Sequence, residues 1–150
     1  MEGSKLPTVK IGGREIPLYY STKEMIDIQR DIGCTAYQLN EQVFGIRRED
    51  DDDPSSVKFG VLEDMDKLEK LGKLVRILGN AGLEESGEEA DLDDKWVLRN
   101  IKPGMIMVYV IALVAVISDG NRIEAATKAE EQGPVDEGLE EENAKKQPGN

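Results

Sequence analysis

The sequence contains no histidine and a single cysteine, Cys34. Without imidazole there is no Ser-His-Asp or Cys-His nucleophile pair. The commonest general acid–base is missing, and so is every His-ligated metal site. One thiol cannot close a disulfide or build a Cys-based zinc site, and it fits the reducing interior of a cell. Basic residues are outnumbered, 19 Lys and Arg against 31 Asp and Glu, a formal net charge of −12. Phosphate contacts need clustered Lys and Arg, so nucleic acid is not an expected partner. Anionic lipid is disfavoured on the same ground. Residues Met1 to Pro7 lack the apolar centre of a signal peptide, and Glu2 excludes N-myristoylation.

Long apolar runs are also scarce. Met105 to Ile117 (MIMVYVIALVAVI) is thirteen residues without a charge, closed by Lys102 and Asp119. A membrane span needs about 20 residues, so this run is expected to be a helix buried on most of its sides, with no membrane involved. At the other extreme, the stretch from about Ala129 to Asn150 is rich in Glu, Gly and Pro and nearly free of large apolar residues. It cannot bury enough surface to offset the entropy of ordering, and is expected to be a disordered acidic tail over 129–150. That leaves residues 6–128 for one folded domain.

What remains is patterned mainly for helices. Thr8–Ile11 and Arg14–Tyr20 flank Gly12-Gly13, a pair suited to a two-residue hairpin turn. Pro17 cannot donate to a ladder, so the second strand must be an edge or end there. Ser21 with Glu24, and Thr35 with Gln38, spell two capping boxes. The first opens a helix with Met25, Ile28 and Ile32 on one face and Gly33 at its end. The second opens a short helix with Leu39 and Val43 inward and Gly45 as its stop. A polar loop is expected from Arg47 to Ser56. A third helix, starting near Ser56 or Val61 and reaching Leu78, carries the stripe Leu62, Met65, Leu68, Leu71, Val75 and Leu78. After an acidic loop from Glu84 to Asp91, a helix capped by Asp91 would bury Leu92, Trp96 and Ile101. Pro103 ends it and starts the apolar helix. The expected fold is mainly α: a small helical domain with an N-terminal β-hairpin and a disordered acidic C-terminal tail.

Few residues invite a chemical role. Asp50–Asp53 is the natural suspect for a hard cation, but four successive aspartates point in different directions and read as a solvated loop. The segment from Asp91 fails as a calcium hand, with Trp96 where glycine is needed and Lys102 where glutamate is needed. Cys34 lies between a helix stop and a cap with no base nearby, as a structural thiol would. No catalytic, cofactor-binding or metal site is expected, and no enzymatic activity. The candidates for partner contact are Tyr19 and Tyr20, adjacent on a strand so that one faces out, and Trp96, the only tryptophan.

The order of these pieces resembles the tail assembly chaperones of long-tailed, siphovirus-like phages and prophages. The resemblance lies in the hairpin VKIGGREIPLYY, the capped helix STKEMIDIQRDIG, and a Leu-rich helix ending ILGNAGLEESGEE. It continues in the segment DLDDKWVLRNIKPG and an apolar helix closing at Asp119-Gly120, over about residues 8–125. It implies a helical protein that forms homo-oligomers. It further implies binding to the tape measure protein while tail tube protein polymerises around it, in the cytoplasm of the bacterial host and not in the mature virion. No functional residue is carried over, because such a role uses a surface. The competing expectations are an acidic DNA-mimic inhibitor, which would need carboxylates spaced along one rigid face, and a small helical regulatory protein.

Overall fold

The structure, a computed structural model, describes residues 6–122 apart from 49 and 51. The expected acidic tail, 129–150, lies outside the described residues. Gly12 and Gly13 both take positive φ, 57° and 83°, the geometry that matches a tight turn to the twist of two strands. Strand β1 (Thr8–Ile11) therefore folds back antiparallel on β2 (Arg14–Pro17), with Thr8 opposite Pro17 and Ile11 opposite Arg14. Val9, Ile11 and Ile16 point into the core.

The strand stops at Pro17, so Tyr19 and Tyr20 do not lie on it. The reason is a change of partner. The Leu18 amide donates to the Pro7 carbonyl, and the Tyr19 amide then donates to the Leu78 carbonyl (3.1 Å), which draws the chain onto a helix. Both tyrosines are half-buried; neither is the outward one of an alternating pair.

Helix α1 (Thr22–Ile32) opens with the expected capping box. The Ser21 amide donates to the Glu24 carboxylate (2.9 Å), and Glu24 is buried in that role. Ile28 and Ile32 face inward, Met25 is half-buried, and Gly33 ends the helix at φ 92°. A second capping box joins Thr35 to Gln38 and leads through one 3-10 turn into α2 (Leu39–Gln42).

A second hairpin encloses the segment expected to be a polar loop, and its second strand lies where the third helix would run if it started near Ser56. Strand β3 (Ile46–Arg48) pairs antiparallel with β4 (Val57–Phe59), Ile46 opposite Phe59 and Arg48 opposite Val57. Strand β3 (IRR) shows no apolar alternation, and the alternation of β4 (VKF) is only three residues long, too short to distinguish a strand, so only the pairing reveals them.

Helix α3 (Met65–Glu85) is the centre of the molecule. Its N-cap is Asp64, whose carboxylate accepts from the Asp66 and Lys67 amides. It starts later than the stripe suggested, since Leu62 belongs to a preceding 3-10 turn and Leu62 and Met65 are exposed. It also runs past Leu78 to Glu85, into the start of the expected acidic loop. Gly79 and Gly82 lie in this added stretch. They are poor helix formers but let neighbours approach closely: a Cβ on Gly82 would sit 1.9 Å from the Pro17 carbonyl oxygen. Leu71, Leu74, Val75 and Leu78 are fully buried, and α3 packs against α1, β2 and α4.

Helix α4 (Asp94–Asn100) is capped by Asp93, whose carboxylate accepts from the Trp96 amide (2.8 Å). Asp91, the expected cap, instead pairs with Arg14 at 3.2 Å. Paired hydrogen bonds between Asn80 and the Leu92 backbone hold the preceding loop to α3 and so shift the helix start. Pro103 opens a 3-10 turn that runs into α5 (Ile106–Asn121). The fold is mainly α with two small hairpins, and the elements up to Gly120 form one compact unit.

Candidate interaction surface

Helix α5 is the expected apolar helix, but it is not buried on most of its sides. Tyr109, Val110, Leu113 and Ile117 form its inner face. The Tyr109 hydroxyl donates to the Lys10 carbonyl, which pins the helix to β1. The opposite face meets solvent: Met105 in the leading turn is 45% exposed, Val108 50% and Ile111 62%, and Ala115 continues the row. The cause is geometric. Helix α3 already occupies the centre between α1, α4 and the first hairpin, and α5 has no comparable backbone approach to any of them among the described residues. It lies on the core instead of inside it. Residues Pro103–Asn121 are long and apolar enough to cross a membrane by length and composition, with mean hydropathy 1.9.

Beside this row runs an open groove of about 410 Å³, mostly apolar, between α5 and the segment after β2. Leu18, Tyr19 and Tyr20 form one wall and Ala112, Ala115 and Val116 the other. The Tyr20 ring lies over Gly120, where a Cβ would come within 2.4 Å of it. The two tyrosine candidates therefore join the exposed face of α5 in one surface. Trp96 does not: it packs under the turn of the first hairpin. The Arg14 guanidinium sits 5.6 Å from its ring centroid, and Gly12 approaches the indole edge.

Sequence reasoning missed Val108, Ile111 and Ala115. The uniform apolarity of α5 reads as burial on all sides and contains no signal for which face is left outside.

The polar clusters serve the fold. Asp53 accepts from the Ser55 amide and hydroxyl, and the Ser56 hydroxyl bridges to Asp50, so this run shapes its own turn. Among the described residues no three His, Cys, Asp or Glu side chains converge as metal ligands would. Burial pushes the Cys34 thiol up from its ordinary value, only partly offset by Lys70, so its thiolate is disfavoured. Lys73 and Arg76 of α3 converge on Asp94 at the start of α4, and Arg76 also reaches Asp31 on α1. Burial raises the Asp94 pKa, but hydrogen bonds from Arg76 and Lys73 outweigh it and hold the carboxyl below its usual value. Comparison with protein-family models, with curated proteins and with solved structures finds no match to this chain.

Proposed function

We propose that this chain acts by covering other protein chains, as a tail assembly chaperone of a long-tailed phage or prophage does. On this reading it binds the tape measure protein, keeps it dispersed while tail tube protein polymerises, and catalyses nothing. It works in the host cytoplasm and does not remain in the virion. The observation that carries the reading is the solvent-facing apolar row of α5 beside the Tyr19–Tyr20 groove, on a chain of net charge −12. A long helical protein with exposed apolar stripes aggregates unless those stripes are covered. An apolar helix face on a strongly charged carrier covers them while keeping the complex dispersed. The sequence layout supports the same reading.

Co-expression with the tape measure and tube proteins of the same gene cluster tests it. The chain should retain the tape measure protein on affinity capture and raise its soluble fraction, and Ile111→Glu should weaken both effects. Retention of neither protein by the unaltered chain would sink the reading.

A further inference from the structure

We propose that the groove between α3 and α4 docks an acidic amphipathic helix of a partner protein. Lys95 and Arg99 hold two carboxylates one helical turn apart, and Leu98 receives an aliphatic side chain beside them. The inference goes beyond the chaperone reading and is independent of it, since it uses a different surface and a different chemistry.

The groove has a volume of about 620 Å³ and is lined by Glu69 and Lys73 of α3 and by Asp94, Lys95, Leu98 and Arg99 of α4. Gly72 sets its depth. With no side chain there, Leu98 lies close on the α3 backbone, where a Cβ would come within 2.7 Å of its Cδ2. Leu98 still stays 40% exposed, an apolar floor open to solvent. Positions 95, 98 and 99 stand at the spacing that puts side chains on one helix face. Both cations therefore border this floor.

Charge identifies the occupant. Lys95 and Arg99 are exposed and form no ion pair among the described residues. Their neighbour Asp94 does not neutralise them, because it is already engaged by Lys73 (3.0 Å) and Arg76. On a chain of net charge −12 they attract, at short range, an anion that most of the surface repels. Arg99 suits a carboxylate through paired hydrogen bonds, and Lys95 suits a second one as a point charge.

Geometry favours a helix. Four residues of α4 separate the two cations, about 6 Å along its axis. Carboxylates at i and i+4 of a partner helix have the same separation, and an aliphatic residue at i+3 then falls on Leu98. An extended strand would turn successive side chains to opposite faces. A nucleic acid fits less well, because its phosphates, one charge per roughly 1.7 Å of duplex, would run onto Asp93 at the start of α4 and Glu69 on α3. Exposed ion pairs are each worth little, so the contact is weak and reversible.

Fluorescence anisotropy of a labelled peptide of three EAALE repeats, titrated with the full chain, tests this. Binding should saturate. Replacing the peptide's glutamates by glutamine should weaken it roughly tenfold, and replacing its leucines by alanine roughly fivefold. Lys95→Glu combined with Arg99→Glu should weaken it at least tenfold with the melting temperature retained, both side chains being exposed and unpaired. Ile111→Glu, which reports on the chaperone reading, should leave peptide binding unchanged. Absence of saturable binding, equal binding of either altered peptide, or binding unaffected by the double variant would overturn the proposal. Loss of binding in Ile111→Glu would place the peptide on α5 and overturn it too. A short single-stranded DNA that displaces the peptide at lower concentration would make the groove a phosphate site and have the same consequence.

Discussion

Gly82 and Asp94 show how single residues hold the helices and the first hairpin together. At Gly82, alanine would gain about 1 kcal/mol of helix propensity. Its Cβ, however, would meet the Pro17 carbonyl group, backbone atoms that cannot retreat without shifting the first hairpin. Gly82→Ala should lower stability by about 1–3 kcal/mol in urea unfolding, the usual range for overpacking. Gly104→Ala, with nothing within 4 Å of the new methyl, should be neutral or slightly stabilising. Asp94 makes a different prediction. Its folded pKa is depressed, so its ion pairs stabilise the fold above the ordinary carboxylate value of about 4 and lose that contribution as pH falls through the lower folded value. Asp94→Asn should cost on the order of 1 kcal/mol at pH 7, discounted because the side chain is partly exposed and screened by solvent. The gap between the two proteins should close in acid. A gap of constant size from pH 7 to pH 2 would contradict the ion-pair account.

At the scale of elements, α5 presents chemically similar residues to different surroundings within one turn. Leu113→Ala removes a side chain that is 1% exposed and should cost about 2–5 kcal/mol. Ile111→Ala, on the outer face, should stay within about 0.5 kcal/mol. Thermal unfolding of the pair decides whether α5 lies on the core or within it; equal losses would restore the enclosed placement. The second hairpin is held differently. The Gly60 amide donates to the Gly45 carbonyl and the Val61 amide to the Phe44 carbonyl, which extends the β3–β4 pairing to the buried Phe44 and Val61. The core contacts at its base, not strand propensity, fix this short pair.

Charge governs the behaviour of the whole molecule. Self-repulsion of a −12 chain opposes compaction. The α3–α4 and α3–α1 ion pairs involve partly exposed side chains, and each is worth little. Raising ionic strength from about 10 mM to about 150 mM shortens the screening length from roughly 30 Å to 8 Å. The melting temperature should therefore rise with salt. A fall would mean that the ion pairs outweigh the repulsion. The apolar row of α5 sits on this strongly charged body.

The first turn, the two capping boxes and the helix stop at Gly33 were legible in the sequence because their chemistry is local. Gly12-Gly13, Ser21 with Glu24, Thr35 with Gln38 and Pro103 act on backbone groups within four residues of themselves, and each does so in the structure. The alternation of apolar and polar residues likewise identified the inner faces of α1 and the middle of α3. Other features were not local. Asp93 caps α4 in place of Asp91 because Asn80, on another helix, holds the intervening backbone. Ile46 finds Phe59 across an acidic loop whose composition says nothing about pairing. The two tyrosines leave their strand because Leu78 offers a carbonyl. Helix α5 is the clearest case: with apolar residues on every side, its sequence contains no contrast from which to choose an inner face. Only packing against the Lys10 carbonyl and the core makes that choice, and in making it leaves Val108, Ile111 and Ala115 facing solvent.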